Sequence, residues 1–356
     1  MRFFYHLSLI SFSLCVYAFT NPIKLHDGSD PAMVFSNGFY YLTTTAWSSI
    51  QITRGVVSRL TRRRASQLTH TKSIEELKTA APRIVQKGSD YPESVNMWAP
   101  EFQWVLNKWH MYVQIVWNFT WESIDFSLYS YYTAKTGGLQ GIHVLEGSSN
   151  DIWESSWRYL GRIKVPNRDV WSIDPTILFH PSGEYLVFSS WEDKEQCLWI
   201  AKMSSQSAIT IGDAVKISRP SNDWERLGGN VNEGPSFIYK NGRTWLIYSA
   251  SSCAGRGYSL GRIELIGSDP LKPSSWKKYD AGPVFKAANH DFAVGHNGFF
   301  TALHGDIFIV FHASPSTDVK CDGSRQTFVQ PVGWHSDGTP NLGIPLPTSQ
   351  EIQEPK

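Results

Sequence analysis

The 356-residue sequence lacks an excess of either charge, because 33 lysines and arginines stand against 32 aspartates and glutamates. Proteins that bind nucleic acid or membrane surfaces usually present a strongly basic face, so this balance predicts neither kind of partner. Cysteine is also scarce, with four in the whole chain. A small fold held together by disulfides is therefore excluded, and the chain must bury a hydrophobic core instead.

Long hydrophobic runs are missing as well, apart from the N-terminus. Residues 1–18 carry a basic residue followed by a short apolar stretch from Leu7 to Val16. This stretch is too short to span a bilayer, which needs about 20 residues, and it is typical of a secretory signal peptide. We therefore expect a secreted, extracellular protein. Removal of the signal would leave Cys197, Cys253 and Cys321, of which at least one must be a free thiol.

What the sequence has in abundance is a repeated β-pattern rich in aromatic residues. In Ser172–Trp191, an acid–proline pair opens a strand-like run, a Pro-Ser-Gly turn follows, and a second strand-like run returns. Glycine and proline between two β-rich runs indicate a hairpin, because they supply the dihedral angles of a reversal. The pattern recurs roughly every 60 to 70 residues. Its polar heads are Asp30, Glu101, Asp174, Glu233 and His296.

Five such units predict an all-β fold, a five-bladed β-propeller in which each unit begins one blade. The predicted domain spans residues 19–346, and we expect the end of the polar tail, 347–356, to be disordered. Tryptophan and tyrosine, with 15 residues each, fit packing between blades or sugar-stacking platforms, and packing accounts for most of them. We expect 137–150 and 192–196 to be loops or blade edges.

One stretch does not fit the repeat. The region from Arg54 to His70 contains five arginines and has no β-alternation. A basic run can bind nucleic acid, but short runs of this kind are unspecific, and a solvated insertion is the favoured interpretation. Without residues 55–69, the first unit would have nearly the length of the later ones. We therefore predict that the propeller does not need this insertion, and one hypothesis is that it is translated intron sequence.

The five heads together resemble the ordered motifs of glycoside hydrolase family 43. The matching motifs are Ser29-Asp30-Pro31, Trp98-Ala99-Pro100-Glu101, Ile173-Asp174-Pro175-Thr176, Glu233-Gly234-Pro235 and Gly295-His296-Asn297. Each motif alone is a weak signal, but all five in order, each at the head of a repeat, are specific. The resemblance implies a five-bladed propeller that acts on arabinan, arabinoxylan or xylan side chains. The C-terminal part, with Cys321 and Arg325, is similar to a branch that contains exo-acting α-L-arabinofuranosidases.

Glycoside hydrolysis needs one carboxylic acid to protonate the leaving oxygen and a second carboxylate on the opposite face of the sugar. Heads of propeller strands converge on the central axis, so Asp30, Asp174 and Glu233 can surround one sugar. The family pattern implies that Asp30 is the general base and Glu233 the general acid. It assigns Asp174 the role of holding the acid and raising its pKa, and a nearby like charge does disfavour ionisation. The alternative is that these acids cap strand ends, which is our interpretation of Glu101.

The resemblance assigns three further residues to substrate binding. Trp98 either stacks on a sugar face or packs between blades. Arg325 matches an arginine that reaches the substrate, and is otherwise a surface charge. His296 matches a histidine of the central channel that often contacts a calcium ion through water, and is otherwise a hydrogen-bonded core residue. A calcium ion there would be structural or electrostatic, because hard cations prefer oxygen ligands; no other cofactor is implied.

The sequence thus predicts a secreted, monomeric, inverting exo-α-L-arabinofuranosidase that acts on plant cell-wall polysaccharides or oligosaccharides. A β-xylosidase or an endo-arabinanase of the same family is the alternative, because loops at the pocket rim decide specificity. A propeller that binds sugars without hydrolysing them is another. A serine esterase is disfavoured. Residues 257–261 fit G-x-S-x-G, but a strand pattern follows them, and not the helix that this motif requires.

Overall fold

The computed structural model describes residues 18–55, 73–90, 95–117 and 141–355. Residues 1–17 of the predicted signal peptide and 56–69 of the predicted insertion lie outside this described part. Within it, most residues lie in β-strands, and no helix is long and apolar enough to cross a membrane. The helices are short 3-10 segments at Glu75–Lys78, Gly88–Asp90, Asp223–Glu225 and Pro273–Ser275.

Most of the strands form five antiparallel sheets that follow one another along the chain, one for each blade, and the remaining strands form two short two-stranded sheets. Blade 1 contains β2 (Ala32–Ser36), β3 (Phe39–Thr43), β4 (Ser49–Arg54) and β5 (Arg83–Lys87), and blade 2 contains β6 (Val95–Val105), β7 (Lys108–Trp117), β8 (Gly141–Gly147) and β9 (Trp157–Arg162). Blade 3 contains β10 (Ser172–His180), β11 (Gly183–Glu192), β12 (Glu195–Ser204) and β13 (Ser207–Ser218). Blade 4 contains β14 (Asn232–Lys240), β15 (Arg243–Ala250), β16 (Ser259–Leu265) and β17 (Trp276–Lys278), and blade 5 contains β18 (Phe292–Thr301), β19 (Ile307–Ser314) and β20 (Gln326–Pro331). The predicted five-bladed propeller is confirmed.

Each predicted hairpin forms the first two strands of a blade, but the loop or blade edge predicted at 137–150 is wrong, because Gly141–Gly147 form β8, the third strand of blade 2. The loop predicted at 192–196 is a turn of two residues, 193 and 194, between β11 and β12. Third strands have no polar head or turn motif of their own. They form because they pair with the edge of the preceding hairpin, as β8 pairs with β7 over six residues, and this long-range pairing leaves little local signal.

A separate hydrophobic cluster fills each interface between neighbouring blades. In blade 1, Tyr41 packs towards blade 2, whereas Tyr40 and Leu42 pack towards blade 5. Successive residues of a strand point to opposite faces of the sheet, so both faces of a blade are buried. The aromatic rings mainly serve this packing, as predicted, and Trp245 and Tyr112 are fully buried. Each such side chain contributes about 1.5–3 kcal/mol of burial free energy.

The ring closes where the N-terminal segment lies beside β20 of blade 5. The backbone N–H of Ile23 donates to the carbonyl oxygen of Thr327 at 2.8 Å. The side chain of Asn21 both donates to the carbonyl oxygen of Val329 and accepts from its N–H, at 2.8 and 2.9 Å. Residues about 300 positions apart in sequence therefore share one sheet edge, which fixes blade 1 against blade 5.

The C-terminal tail is ordered, so the expected disorder is wrong. Short strands β21 (Gly333–Trp334) and β22 (Pro340–Asn341) pair with each other, and β23 (Ile352–Gln353) pairs with β1 (Ala18–Phe19). The carboxylate of Glu354 accepts hydrogen bonds from the backbone N–H groups of Ile74 and Glu75 at 2.9 and 3.1 Å. The tail is held in place because it buries Ile352 and accepts hydrogen bonds from the free backbone N–H groups at the start of a 3-10 helix.

Candidate active site

The first strand of every blade, or the residues just before it, contains a residue in the left-handed conformation at the equivalent position, and the first strand of blade 5 contains a second one, Ala293. These residues have φ between 44° and 52°, and in blades 1–4 a proline follows them. Left-handed backbone costs a non-glycine residue about 1–2 kcal/mol, and such strain is concentrated at functional sites. The five residues are Asp30, Ala99, Asp174, Gly234 and His296.

This repeated kink corrects two of the heads chosen from the sequence. The residue of blade 2 equivalent to Asp30 and Asp174 is Ala99 and not Glu101, and that of blade 4 is Gly234, one residue after Glu233. Glu101 lies further along β6, beside a cavity of about 260 Å³ in the channel. Its carboxylate accepts a hydrogen bond from the Thr176 hydroxyl at 2.8 Å, and burial raises the pKa of Glu101 to about 8.

At the heads of the strands lies a pocket of about 80 Å³ to which all five blades contribute. It brings together all six residues predicted to act in catalysis or substrate binding. The lining residues are Asp30, Thr45, Trp47, Trp98, Ile173, Asp174, Glu233, Cys253, His296, Cys321 and Arg325.

The carboxyl group of Asp30 is surrounded by groups that favour its ionised form. Oδ1 lies 3.6 Å from the guanidinium nitrogen Nη1 of Arg325 and 3.3 Å from Nδ1 of His296, and Oδ2 accepts a hydrogen bond from the Thr45 hydroxyl at 2.6 Å. Burial by itself disfavours the charge, but Arg325, His296 and His312 outweigh it and hold the pKa of Asp30 well below its usual range.

The carboxyl groups of Asp174 and Glu233 have the opposite environment. Burial raises the pKa of Glu233 to about 7, with a smaller rise from the charge of Asp30. Burial and the neighbouring charge of Glu233 raise the pKa of Asp174 well above its usual range. Asp174 also accepts a hydrogen bond from the backbone N–H of Gly234 at 3.0 Å, which fixes the segment that carries Glu233. The Asp174–Glu233 pair therefore binds a proton more readily than Asp30 does.

Two neutral side chains hold Glu233 in place, and the sequence did not single out either of them. The Tyr258 hydroxyl donates to Oε1 at 2.8 Å and the Gln196 amide to Oε2 at 3.0 Å. Gln196 was in a predicted loop. Tyr258 was visible only as part of the rejected G-x-S-x-G motif, whose Ser259 begins β16 and is buried.

The glycines of that motif serve packing rather than an esterase turn. A Cβ added to Gly261 would lie 2.4 Å from the ring of Tyr248, and one added to Gly257 would lie 2.6 Å from Leu227. A strand follows Ser259, as the sequence predicted. The structure therefore gives the esterase interpretation no support.

The substrate-binding candidates also take definite positions in the pocket. Arg325 is 5% exposed, so it is not a surface charge, and its guanidinium contacts Nε2 of His312 at 3.1 Å. Trp98 stands edge-on to Trp47, with ring centroids 6.0 Å apart. His296 lies between the two sides of the pocket, because its Nδ1 is also 3.8 Å from Asp174.

The surroundings of His296 offer few side-chain ligands for a metal ion. Among the described residues, no group of three or more His, Cys, Asp or Glu side chains is placed to hold a metal ion. A chamber of about 20 Å³ adjoins His296, and both side-chain amide atoms of Asn297, which lines it, are buried without a protein partner. A buried amide in this state favours an oxygen-containing or cationic ligand. The chamber has room for one water molecule or one small ion, which would contact Asn297.

Three comparisons bear on this geometry. The sequence profile described as Glycosyl hydrolases family 43 matches residues 19–340. Alpha-L-arabinofuranosidase 43 of Humicola insolens is 31% identical over 334 residues, which cover 90% of this chain and 62% of that protein. The extracellular exo-alpha-(1->5)-L-arabinofuranosidase of Streptomyces avermitilis is 30% identical over 343 residues, which cover 92% of this chain and 64% of that protein. The chain therefore spans less than two thirds of the length of these two relatives.

A solved structure matches nearly the whole chain. The alpha-L-arabinofuranosidase of Lactobacillus brevis superposes with a TM-score of 0.77 at 28% identity, covering 93% of this chain and 98% of that one. The region that matches the family profile, residues 19–340, contains the whole pocket lining and the five repeated kinks.

Proposed function

The chain belongs to glycosyl hydrolase family 43, and we propose that it is a secreted, inverting exo-α-L-arabinofuranosidase that removes terminal α-L-arabinofuranosyl residues from arabinan or arabinoxylan. The observation that carries this proposal is the different surroundings of two carboxyl groups in one pocket, since Asp30 lies beside a guanidinium and an imidazole and Glu233 accepts hydrogen bonds from neutral donors. Inverting hydrolysis needs an ionised base and a protonated acid at the same pH. The two relatives and the solved structure are named as arabinofuranosidases, which supports arabinose as the sugar.

In the proposed reaction, the Asp30 carboxylate accepts a proton from a water molecule, and the oxygen of that water attacks the anomeric carbon. Glu233 donates its proton to the glycosidic oxygen as the bond to the anomeric carbon breaks. Tyr258 and Gln196 then stabilise the Glu233 carboxylate, because both of them donate hydrogen bonds to it. Asp174 orients the acid through its bond to Gly234. Exchange of protons with solvent restores both groups.

The dimensions of the pocket support removal of one terminal sugar. Its volume is about 80 Å³, and the aromatic rings of Trp47 and Trp98 form part of its wall, where they are placed to pack against a sugar face. Arg325 is placed to donate hydrogen bonds to ring hydroxyls. An endo-acting enzyme requires a groove that accommodates sugar units on both sides of the cleaved bond.

A calcium ion beside His296 belongs to the proposal in a supporting role. Asn297 would supply an oxygen ligand and His296 would contact the ion through water, and the bound ion would add positive charge beneath the carboxyl groups. Metal analysis of the purified protein should find about one calcium per chain, and an Asn297→Leu variant should lose it. A wild-type protein without calcium would remove the ion from the proposal.

Secretion is proposed on the disulfide between Cys253 and Cys321, because disulfides persist in oxidising compartments. The relative from Streptomyces avermitilis is named extracellular. Expression of the whole chain in a secreting host should give protein in the medium whose first residue lies near Phe19, as N-terminal sequencing would show. Retention inside the cell with residues 1–18 intact would contradict the proposal.

Product analysis tests the reaction itself. Incubation with linear arabinan, branched arabinan and arabinoxylan should release arabinose as the sole early product, and proton NMR should show the β-anomer first, which is inversion. Retention of the α-anomer would make one carboxylate a nucleophile and exclude Asp30 as the base. A ladder of oligosaccharides would indicate an endo-arabinanase, xylose a β-xylosidase, and binding without hydrolysis a sugar-binding propeller.

A further inference from the structure

The disulfide Cys253–Cys321 forms part of the pocket wall. It joins residues 68 positions apart, and both cysteines line the pocket together with the three acidic residues. The sequence required at least one free thiol, and among the described residues this is the buried Cys197. Cys253 follows β15 of blade 4, whereas Cys321 precedes β20 of blade 5. The bond therefore connects two blades at the site.

The first of the two joined segments, residues 251–258, is called here the acid loop because it ends in the tyrosine that holds the acid. Tyr258 donates to Glu233, and its ring stacks on His312 with centroids 5.7 Å apart and an interplanar angle of 6°. The loop is anchored to blade 4 at its beginning, where the N–H of Ser252 donates to the carbonyl oxygen of Leu227 at 3.2 Å.

The second segment, residues 321–325, is called here the base loop because it carries the guanidinium beside the base. Its backbone binds the segment that precedes Asp30. The carbonyl oxygen of Gly323 accepts from the N–H of Asp27 at 2.8 Å, and that of Asp322 accepts from the Ser29 hydroxyl at 3.0 Å. A Cβ on Gly323 would lie 2.3 Å from Oδ1 of Asp27, so the two segments are in close contact.

We infer that the Cys253–Cys321 disulfide is a positioning element of the active site, which fixes the acid loop and the base loop relative to each other and closes the pocket around one terminal sugar. The inference rests on the proposed glycosidase function. A hydrogen bond from Arg256 to the carbonyl oxygen of Thr317 at 3.1 Å also links the two blades here, but it is exposed. Water competes for both partners of an exposed hydrogen bond, whereas the covalent bond persists when the loops fluctuate.

The experiment compares the wild type with the double variant C253S/C321S on an aryl arabinofuranoside and on linear arabinan. Misplaced catalytic groups reduce turnover strongly, so we expect kcat to fall about tenfold or more, with a smaller change in KM. Both limbs of the pH profile of kcat/KM should move to higher pH. Tyr258 and Arg325 each lower the pKa of the carboxyl group they contact, and looser loops weaken both effects.

A matched control separates positioning from stability. Val187→Ala removes a fully buried side chain from the cluster between blades 3 and 4, away from the pocket. It should lower Tm by several degrees and leave both pH limbs in place. If the double variant does not fold, mild reduction of folded wild type by dithiothreitol takes its place, because Cys197 is a thiol in either case.

The outcomes separate the inference from the proposed function. An active wild type whose double variant and reduced form keep their kcat, KM and pH limbs would overturn the inference alone. So would a loss of activity that only follows the loss of folded protein, with the limbs unmoved. A wild type without glycosidase activity would overturn the proposed function, and with it the inference that rests on it.

Discussion

The two sides of the pocket surround their carboxyl groups differently. Where blades 1 and 5 meet, the carboxyl group of Asp30 lies beside a guanidinium and two imidazoles. Where blades 3 and 4 meet, the carboxyl groups of Asp174 and Glu233 lie beside each other and beside neutral hydrogen-bond donors. All three carboxyl groups are largely buried, and burial alone would raise each pKa. The neighbouring groups decide how far each pKa departs from its usual value. The proposed acid and the proposed base thus differ by their placement and not by their residue class.

The difference has a structural origin in the ring. Asp30 and Asp174 occupy the same left-handed position in their blades, yet Asp30 lies where blade 5 supplies Arg325, and Asp174 lies where blade 4 supplies Glu233. Identical local backbone therefore presents a carboxyl group to opposite electrostatic surroundings. Four substitutions or deletions test this comparison, in decreasing order of expected effect.

Glu233→Gln tests the proposed acid, because it removes the carboxyl group that would donate the proton. Activity on arabinan should fall by about 10²-fold or more, because proton donation to a poor leaving group contributes about that factor. Aryl arabinofuranosides with good leaving groups should lose much less, as steady-state kinetics on both substrates would show. Glu101→Gln, which changes a second partly buried glutamate that does not line the pocket, is the control and should retain activity. Equal losses on both substrates would remove Glu233 from the acid role.

Arg325→Met tests the proposed base, because it removes the guanidinium beside the carboxyl group of Asp30. Loss of the guanidinium should raise the pKa of Asp30, and since the base acts as a carboxylate, the acidic limb of the kcat/KM profile should move to higher pH. We also expect about a tenfold loss of kcat/KM at neutral pH from the missing substrate contact. Arg219→Met, which removes an exposed arginine paired with Glu195, is the control. An acidic limb that stays in place would show that Arg325 does not set the ionisation of Asp30.

Tyr258→Phe removes the hydroxyl that donates to Glu233 and keeps the ring that stacks on His312. The lost hydrogen bond favoured the Glu233 carboxylate, so the pKa of the Asp174–Glu233 pair should rise. The basic limb should move up by about 0.5 to 1 pH unit, since one hydrogen bond contributes about 1 kcal/mol, with a loss of a few-fold in kcat. Tyr248→Phe, whose hydroxyl donates to the buried Glu225 instead, should lower Tm and leave the limb unchanged. A downward shift would contradict the assignment.

Deletion of residues 56–69, which leaves the described Gly55 of the predicted insertion 55–69 in place, should have the smallest effect, because neither flanking residue, Gly55 or Ser73, lines the pocket. Gly55 and Ser73 already lie together, since a Cβ on Gly55 would be 2.6 Å from the carbonyl oxygen of Ser73, so residues 70–72 can bridge them. We expect kcat/KM within about twofold of the wild type and a similar Tm, because a change in the length of a connection costs little free energy. The transcript should also be read across this segment. An unfolded deletion variant would show that the propeller needs it.

The sequence by itself determined the repeat, the hairpins and the six candidate site residues. These features are local, because Pro-Gly turns, apolar alternation and an acid before proline act over a few neighbouring residues. The five ordered heads also identified the family. The sequence misassigned Glu101 as a head, since only the backbone conformation shows that Ala99 occupies the equivalent position.

The tertiary structure decided what surrounds those residues. Pairing across the ring, such as that of Asn21 with Val329 over 308 positions, brings together groups that no local pattern connects. In this way Tyr258 and Gln196 bind Glu233, Cys253 forms a disulfide with Cys321, and the C-terminal tail pairs with β1. The pKa of a carboxyl group depends on charges and donors within a few ångströms. The proposed division of the carboxyl groups into acid and base therefore depends on contacts that only the closed ring provides.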